Sequence, residues 1–398
     1  MGVLSTGIYT DKDMTGIRHR KEIHSPQPSL RFYNASTGLI QDSVWEELDN
    51  GLWKQYSIDN RLFNGALGEM RIGEWKPVFP DITPIYPGYA WNPQTRQLEE
   101  KRFTPDIQSD ADMDSFLAAA YRFFERLNGK KIGVHLSGGL DSGIIICLLR
   151  HFGIPFVLGG GYSSRYEFRT ERQIQDILGA YGEDTFLVDT EEYPFYSCLM
   201  DMPRHQIPDS YIKSTSLSEC LADGFHKRGV EVVLSGQGAD TLFVDAVPVN
   251  SRHSYNIENE FAAPFESDLI YAPHGIQLLS FYGDKDIIGQ INSLRQGQRQ
   301  DVYKMWARGF FRDFLPRELS DYVYCADFFG ISMSGLESAK SDIEKLFEEA
   351  RSLLPHPLFS EQNTRQMIET NVFDFDYKAY CRFCTQISIA VWLHALLR

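Results

Sequence analysis

The chain has 398 residues, of which 43% are hydrophobic, enough to fill the cores of two domains of ordinary size. Its 39 Lys and Arg residues against 54 Asp and Glu residues give a formal net charge of -15, so the surface as a whole does not favour nucleic acid or anionic membranes. No apolar run approaches the roughly 20 residues that span a bilayer, and the N-terminus lacks the apolar stretch of a secretory signal. We therefore expect a soluble, cytoplasmic protein.

The cysteines favour a reduced compartment. The chain has six of them, spread between Cys147 and Cys384, which does not make a disulfide framework. Cys381 and Cys384 have CxxC spacing, but no second pair stands at the distance of a metal site, and the flanking segment is typical of a buried helix. We expect both residues to pack in the core.

Residues 1–108 and 109–398 differ in character. The first part is rich in Pro, Gly, Asn and aromatic residues, with short alternating stretches between turn signals, which predicts a small β-rich region. In the second part, Ser109 precedes apolar residues at helical spacing and is expected to cap a first helix.

Strand-like and helical segments then alternate. Strands are predicted at KKIGVHL, IPFVLGGG, TFLVDT and VEVVLSG, and helices between them at SGIIICLLRHFG, RYEFRTERQIQDILGAYG and STSLSECLADGFHKRG. This order predicts an α/β fold, with a doubly wound parallel sheet and helices on both faces. The residues from about 260 to 398 are predicted to be mainly helical.

A Gly-rich segment, SGGLDS at 137–142, joins the first of these strands to a helix. Its glycines let the backbone approach a ligand closely, and the helix N-terminus favours an anion. Asp141 would repel a bare phosphate, but it fits if it binds a Mg²⁺ ion that bridges to phosphates. A tight turn capped by Ser and Asp is the alternative. Neither GK[ST] nor GxGxxG is present.

The S-G-G-x-D-S pattern resembles the pyrophosphate loop of ATP pyrophosphatases, which cleave ATP between the α and β phosphates. A second segment, VEVVLSGQGADTLF at 230–243, resembles the S-G-E-G-A-D-E-L-F segment of asparagine synthetases and their relatives, which include β-lactam and lasso-peptide macrolactam synthetases. The two motifs stand in the order of that family, each after a predicted strand. The resemblance covers roughly residues 110–330.

The resemblance implies a site for ATP and Mg²⁺ at the ends of the predicted strands. The residues that it assigns to this site are Leu136, Ser137, Gly138, Gly139, Asp141, Ser142, Leu158, Ser235, Gly236, Gln237 and Asp240. Among them, Asp141 and Asp240 would share the Mg²⁺ ion. Ser137, Gly139 and Ser142 would bind pyrophosphate.

Four other positions that the resemblance points to could instead have a purely structural role. Leu136 and Leu158 could bracket the adenine, or they could simply pack in the core. Glu167 and Glu171 fall where the family has an acidic pair that opens a helix, and a solvated helix start explains them as well.

The chain departs from the family in its N-terminal region. Position 2 is Gly2, where glutamine-using members carry a catalytic Cys, and no cysteine appears before Cys147. Thiolate chemistry that releases ammonia therefore has no nucleophile here. The segment DITPIYPGYAWNPQTRQLEEKRF resembles the end of the family's glutaminase domain, so we interpret residues 1–108 as a shortened, structural remnant.

Two further departures concern the synthetase site. Gln237 replaces a Glu of the family, and Thr241 replaces the Glu after Asp240, which argues against aspartate as the substrate. The family also places a catalytic lysine after an LP dipeptide, but no Lys or Arg follows Arg317 until Lys340. Two earlier cations could replace it or could be charges on a surface helix: Lys304 and Arg308.

The leading hypothesis is an ATP-dependent ligase that adenylates a carboxylate and forms an amide with a supplied or intramolecular amine. We expect small-molecule or peptide substrates of specialised metabolism, with a carrier or ammonia-supplying protein as a possible partner, and no nucleic acid or membrane. Two other classes stay open. The missing lysine motivates a nucleotide-binding scaffold without turnover. A sulfur or nitrogen transferase acting on RNA is disfavoured by the net charge and by the buried character of the CxxC segment.

Overall fold

The structure, a computed structural model, describes residues 31–35, 37–41, 43, 45, 82–85, 87–165, 169–205, 208, 210–247, 253–261, 263, 265–321, 329–353, 359 and 377–397. The strands within these ranges are β1 (Arg31–Asn34), β2 (Leu39–Gln41), β3 (Ile82–Ile85), β4 (Tyr89–Asn92), β5 (Gln97–Glu100), β6 (Ile132–His135), β7 (Phe156–Tyr162), β8 (Asp184–Asp189), β9 (Val232–Ser235) and β10 (Gln277–Ser280).

The helices surround these strands. They are α1 (Met113–Glu125), α2 (Leu140–His151), α3 (Arg169–Gly179), α4 (Thr215–Lys227), α5 (Ala239–Phe243), α6 (Ile257–Glu260), α7 (Lys285–Arg295), α8 (Met305–Phe310), α9 (Arg317–Asp321), α10 (Phe329–Ser338), α11 (Lys340–Leu353) and α12 (Tyr377–Leu397). A π-helix occupies Glu266–Tyr271. None of the helices that the structure describes is both long and apolar enough to cross a membrane.

The central sheet has five parallel strands in the order β10-β9-β6-β7-β8. The chain runs outward from β6 to β8, returns to β9 on the other side of β6, and then adds β10. The strand order therefore reverses between β6 and β9, which is the switch point where doubly wound sheets bind ligands. The predicted α/β fold with a parallel sheet and flanking helices is confirmed.

One strand was not predicted. β10 lies in the part of the chain that the sequence predicts to be mainly helical, and it is the one strand that the described residues of that part form. The strand is four residues long, is half-buried and forms an edge of the sheet, so its sequence carries neither a long apolar run nor a clear alternation.

Each face of the sheet carries its own buried cluster. Val233 and Val157 face one cluster, whereas Val232, Leu234 and Leu158 face the other. This is the alternation of side chains that a β-strand imposes. The apolar runs of β6, β7 and β9 are thus explained by burial on both faces, as expected for a parallel sheet.

The first helix of the second part begins later than expected. The predicted cap is Ser109, but Asp112 is the N-cap of α1. Its Oδ1 atom accepts a hydrogen bond from Ser115 N at 2.9 Å, and Ser115 Oγ accepts one from Asp112 N at 2.9 Å. This reciprocal capping box satisfies two helix-end donors at once, which Ser109 cannot do from three residues upstream.

The N-terminal region contributes small antiparallel elements, as predicted. β1 pairs with β2 and with β3, and β4 and β5 form a separate pair. Phe103 bridges to Tyr255, and Gly88 N donates a hydrogen bond to Glu258 Oε2 at 2.7 Å. These bonds tie residues 88–103 to the segment after β9. Most of residues 1–81 lie outside the described residues.

The C-terminal helix α12 holds the CxxC pair. Cys384 is buried, and its Sγ atom lies 3.2 Å from Tyr196 Oη. Trp392, on the same helix, donates a hydrogen bond from Nε1 to His205 O at 3.0 Å. The core position expected for Cys384 is therefore observed, whereas the side chain of Cys381 lies outside the described residues.

Gly160 in β7 offers a test of how closely β7 packs against Leu136, the residue that follows β6. A Cβ atom at this position would lie 2.1 Å from the backbone oxygen of Leu136, which cannot rotate away. We expect Gly160→Ala to lower the free energy of unfolding by about 1–3 kcal/mol, measured by urea denaturation.

Gly289 in α7 provides the matched control. The nearest atom to a Cβ there is Asp106 O at 3.9 Å, so Gly289→Ala should leave stability unchanged or raise it by up to about 1 kcal/mol. Equal losses of stability in the two variants would contradict the tight contact between β7 and Leu136.

Candidate active site

Two loops meet at the switch point of the sheet. The loop from Ser137 to Gly139 follows β6, and the loop from Gly236 to Gly238 follows β9. A Cβ atom on Gly236 would lie 3.0 Å from the Cβ atom of Asp141, so the second loop touches the first turn of α2. A glycine is needed at Gly236 for this close approach.

The first loop presents donors at the start of α2. Gly138 has a φ of +77°, which favours glycine. Ser137 Oγ accepts a hydrogen bond from Gly139 N at 3.1 Å and lies 2.7 Å from Ser142 Oγ. No side chain caps α2, so its first-turn N–H groups have no partner within the helix and favour an anion. Of the alternative that the sequence left open, the serine contact within the turn is present, whereas no Ser or Asp side chain caps the helix.

Lys304 joins the two loops through their aspartates. Its Nζ atom lies 2.7 Å from both carboxylate oxygens of Asp141 and 2.6 Å from Oδ1 of Asp240. The Lys304 side chain is 9% exposed, whereas that of Asp240 is 78% exposed. We call these three residues the Asp–Lys–Asp cluster. It places a buried positive charge beneath an open edge of the sheet.

The charges of the cluster shift one another's pKa values. Burial alone would lower the pKa of Lys304, but Asp141 and Asp240 outweigh it and raise the pKa above its usual value. Lys304 therefore stays protonated at neutral pH. Burial raises the pKa of Asp141, and Lys304 opposes that shift.

The backbone of Lys304 is strained. Its φ of +54° and ψ of 34° are left-handed, a conformation that is uncommon for residues other than glycine. Asp301 stabilises this conformation with two hydrogen bonds, one to Lys304 itself and one to a residue that follows it. Lys304 N donates to Asp301 O at 3.0 Å, and Trp306 N donates to Asp301 Oδ2 at 2.9 Å. Such a conformation costs of order 1–3 kcal/mol, and residues that adopt it cluster at active sites, ligand clamps and switch regions.

Arg308, the other candidate cation, contacts backbone instead. It is buried, its Nε atom donates to Tyr303 O at 3.3 Å, and its Nη1 atom donates to Leu319 O. It is also close enough to lower the pKa of Asp141. These contacts indicate that Arg308 holds the segment around Lys304 in place.

The second loop is held in place by contacts with Ser235, Ser280 and Phe261. Ser235, which is buried, accepts a hydrogen bond on Oγ from Gln237 N at 3.4 Å. Gln237 O in turn accepts one from Ser280 Oγ at 2.6 Å. Gly238 has a φ of +82°, and a Cβ atom there would lie 2.2 Å from the ring of Phe261. The glycines of this loop are thus required by its own packing.

The remaining predicted positions are two leucines, whose side chains the structure describes, and two glutamates, whose side chains it does not. Leu136 and Leu158 are 1% and 0% exposed and belong to one core cluster, so their side chains show the core packing that the sequence left open. Glu167 and the side chain of Glu171 lie outside the described residues.

Tyr282 was not predicted as part of the site. Its hydroxyl donates a hydrogen bond to Asp141 O at 2.8 Å from the segment after β10. No sequence motif marks Tyr282, and a correct prediction of β10 would have placed it near the ligand-binding edge.

The carboxylates fit a magnesium ion in type and number. Mg²⁺ is usually held by one or two carboxylates together with substrate phosphates. Asp141 and Asp240 already reach one common atom, Lys304 Nζ, so they can contact one cation. The described residues contain no group of three or more His, Cys, Asp or Glu that could hold a metal without phosphates.

Lys304→Met tests the electrostatics of the cluster. Without the ammonium, burial should raise the pKa of Asp141 further. A carboxyl whose pKa is raised by folding loses its stabilising contribution as the pH rises through that pKa. We expect the variant to lose about 1–3 kcal/mol at neutral pH and less at mildly acidic pH, measured by urea denaturation across that range.

Two controls separate this effect from a general loss of stability. Lys304→Met combined with Asp240→Asn should recover part of the loss, because one negative charge is removed. Lys227→Met breaks an exposed pair with Asp223 at 2.9 Å and should cost under about 0.5 kcal/mol at every pH. A loss in Lys304→Met that does not vary with pH would contradict the assignment.

One comparison with known proteins matches the segment of the chain that contains both loops. The asparagine synthase family model matches residues 126–269, which include β6 to β9 and both loops. A search of curated proteins gives no match.

Two solved structures show a limited similarity. NMN synthetase from Francisella tularensis is 10% identical, with 70% of this chain and 92% of that chain covered and a TM-score of 0.31. NAD+ synthetase from Burkholderia pseudomallei is 13% identical, with 61% and 92% covered and a TM-score of 0.27. Scores this low carry no weight beside the strand order and the family match. The match to the asparagine synthase family therefore covers residues 126–269, the part of the chain that holds both loops of the switch point.

Proposed function

We propose that this protein activates a substrate carboxylate with ATP and transfers the acyl group to an amine, releasing pyrophosphate and then AMP. The observation that carries the proposal is the Asp–Lys–Asp cluster, in which Lys304 Nζ bonds to aspartates from both loops of the switch point. A turn with no ligand would have no need of a buried, strained lysine between two carboxylates.

The first loop supplies the phosphate-binding part. The uncapped first turn of α2 offers backbone N–H groups and the positive end of a 12-residue helix. Ser137 and Ser142 bond to each other at 2.7 Å, and each hydroxyl can rotate to donate to a phosphate oxygen instead. These donors suit the pyrophosphate that departs from ATP.

Asp141 and Asp240 would hold Mg²⁺ together with the phosphates. When bound there, the ion would neutralise negative charge on the phosphates. Lys304 would supply a second positive charge. Because its pKa is raised, Lys304 acts as a fixed cation and not as a proton acceptor.

The reaction then has two steps. An oxygen of the substrate carboxylate attacks the α-phosphorus of ATP, the bond to the β-phosphate oxygen breaks, and pyrophosphate leaves. The nitrogen of the amine next attacks the acyl carbon, the bond to the AMP oxygen breaks, and the amine gives up a proton as the amide forms. Fixing both substrates at one edge of the sheet supplies the entropic part of the acceleration.

The substrate class and biological setting rest on the sequence. Gln237 and Thr241 stand where the resemblance would put carboxylates, which disfavours aspartate. We propose a small-molecule or peptide carboxylate of specialised metabolism as the substrate, in the cytoplasm, with a carrier or ammonia-supplying partner where the amine is not part of the same molecule.

The cysteines favour this function over sulfur transfer. Burial raises the pKa of Cys147 to about 12 and that of Cys198 to about 11, and it also raises the pKa of Cys220. A reactive thiol needs a lowered pKa, so none of these three is activated for nucleophilic chemistry.

Exchange of labelled pyrophosphate into ATP tests the first step directly. With a panel of carboxylates, we expect exchange that requires Mg²⁺ and that falls by about 100-fold or more in Asp141→Asn and in Lys304→Met. Asp223→Asn, on an exposed helix face, is the control and should retain exchange.

Two results would count against adenylation. One is turnover of ATP to ADP and phosphate, which would require attack at the γ-phosphorus. The other is exchange in Asp141→Asn at the wild-type rate. Binding of ATP without any exchange would favour the nucleotide-binding scaffold.

A further inference from the structure

A cavity of about 340 Å³ opens beside the second loop. Ser235 and Ser280, the last residues of β9 and β10, line it at the carboxyl edge of the sheet. Its volume lies within the range of small-molecule sites, which is roughly 300–1,000 Å³. The cavity therefore stands where doubly wound folds place ligands, next to the switch point.

The cavity shares a wall with the proposed site of adenylation. Ser280 Oγ donates to Gln237 O at 2.6 Å, and Phe261, which also lines the cavity, packs against Gly238. The same loop touches Asp141 through Gly236. The loop at 236–238 is thus in contact with a residue of the cavity wall, Phe261, and with a residue of the Asp–Lys–Asp cluster, Asp141.

The lining has a definite chemical character. Most of it is apolar and comes from α6, β10 and Phe261, and the charged side chains in it are Glu258 and Asp268. None of the described residues that line the cavity is basic. Such a site favours a ligand with an apolar body and a positive charge, and it disfavours a second carboxylate.

Both acidic residues are held by the fold. Glu258 Oε2 accepts a hydrogen bond from Gly88 N at 2.7 Å, which fixes it against the N-terminal region. Asp268 lies on the π-helix Glu266–Tyr271, a rare form that is frequent at functional sites. Neither carboxylate is used by the proposed nucleotide site.

We propose that the cavity binds the amine substrate as an aliphatic primary ammonium, with Glu258 and Asp268 holding its charge. This inference rests on the proposed function for the role of the bound amine. An ammonium must lose a proton before its nitrogen can attack the acyl carbon, and a neighbouring carboxylate can accept that proton and pass it to water. The cavity would then select the nucleophile of the second step.

Binding of a probe tests the site without any knowledge of the natural substrate. Hexylamine and hexan-1-ol share an apolar body and differ in charge at neutral pH. By calorimetry on the full chain, we expect hexylamine to bind at least about tenfold more tightly than the alcohol, and Glu258→Gln and Asp268→Asn each to lose about tenfold of that affinity.

The controls address folding and net charge. Glu258→Gln keeps an oxygen that can accept the bond from Gly88 N, and Asp268→Asn is nearly isosteric, so both variants should fold. Asp223→Asn removes one negative charge from an exposed helix and should bind hexylamine as the wild type does. The inference would be overturned by equal binding of the amine and the alcohol, by tighter binding of hexanoate, or by unchanged affinity in both cavity variants.

Pyrophosphate exchange, which needs no amine, separates this inference from the proposed function. In Glu258→Gln and Asp268→Asn we expect exchange at the wild-type rate together with weakened hexylamine binding. A wild-type protein that binds hexylamine but shows no exchange would contradict adenylation while supporting the ammonium site. A protein that exchanges pyrophosphate but does not bind hexylamine would overturn the ammonium site alone.

Discussion

The ammonium group of Lys304 is the interaction on which the site depends. It bonds to Asp141, at the start of the helix after β6, and to Asp240, at the start of the helix after β9. Two carboxylates this close would repel each other without a cation between them. One buried positive charge therefore brings together three segments that are distant in sequence, and it fixes the separation of the two loops that face the ligand edge.

The strand order makes this interaction possible. Because the order reverses between β6 and β9, the loops that follow them leave the sheet side by side and enclose a crevice. Glycines at both loops allow close contact, most clearly at Gly236 against Asp141. β10 and the segment after it extend the same edge and add Ser280 and Tyr282, each of which donates a hydrogen bond to one of the two loop regions. The catalytic and amine-binding proposals thus concern neighbouring parts of one edge.

The sequence predicts the parts of this site that depend on local pattern. The buried strands show as apolar runs, and the two loops show as Gly-rich segments between a strand and a helix. The position of Lys304 could only be named as a candidate, because a left-handed lysine held by Asp301 leaves no sequence signal. β10 was missed because a short edge strand has neither periodicity nor full burial, and Tyr282 was missed with it.

A crystal structure with Mn²⁺ and an ATP analogue that carries a methylene bridge between its α and β phosphates would test the central assignment most directly. We expect the phosphates on the loop at 137–142, an anomalous manganese peak in contact with Asp141 and Asp240, and the Lys304 ammonium turned toward the α-phosphate. A nucleotide bound elsewhere, with Lys304 still bonded to both aspartates, would contradict the assignment of this cluster to ATP cleavage.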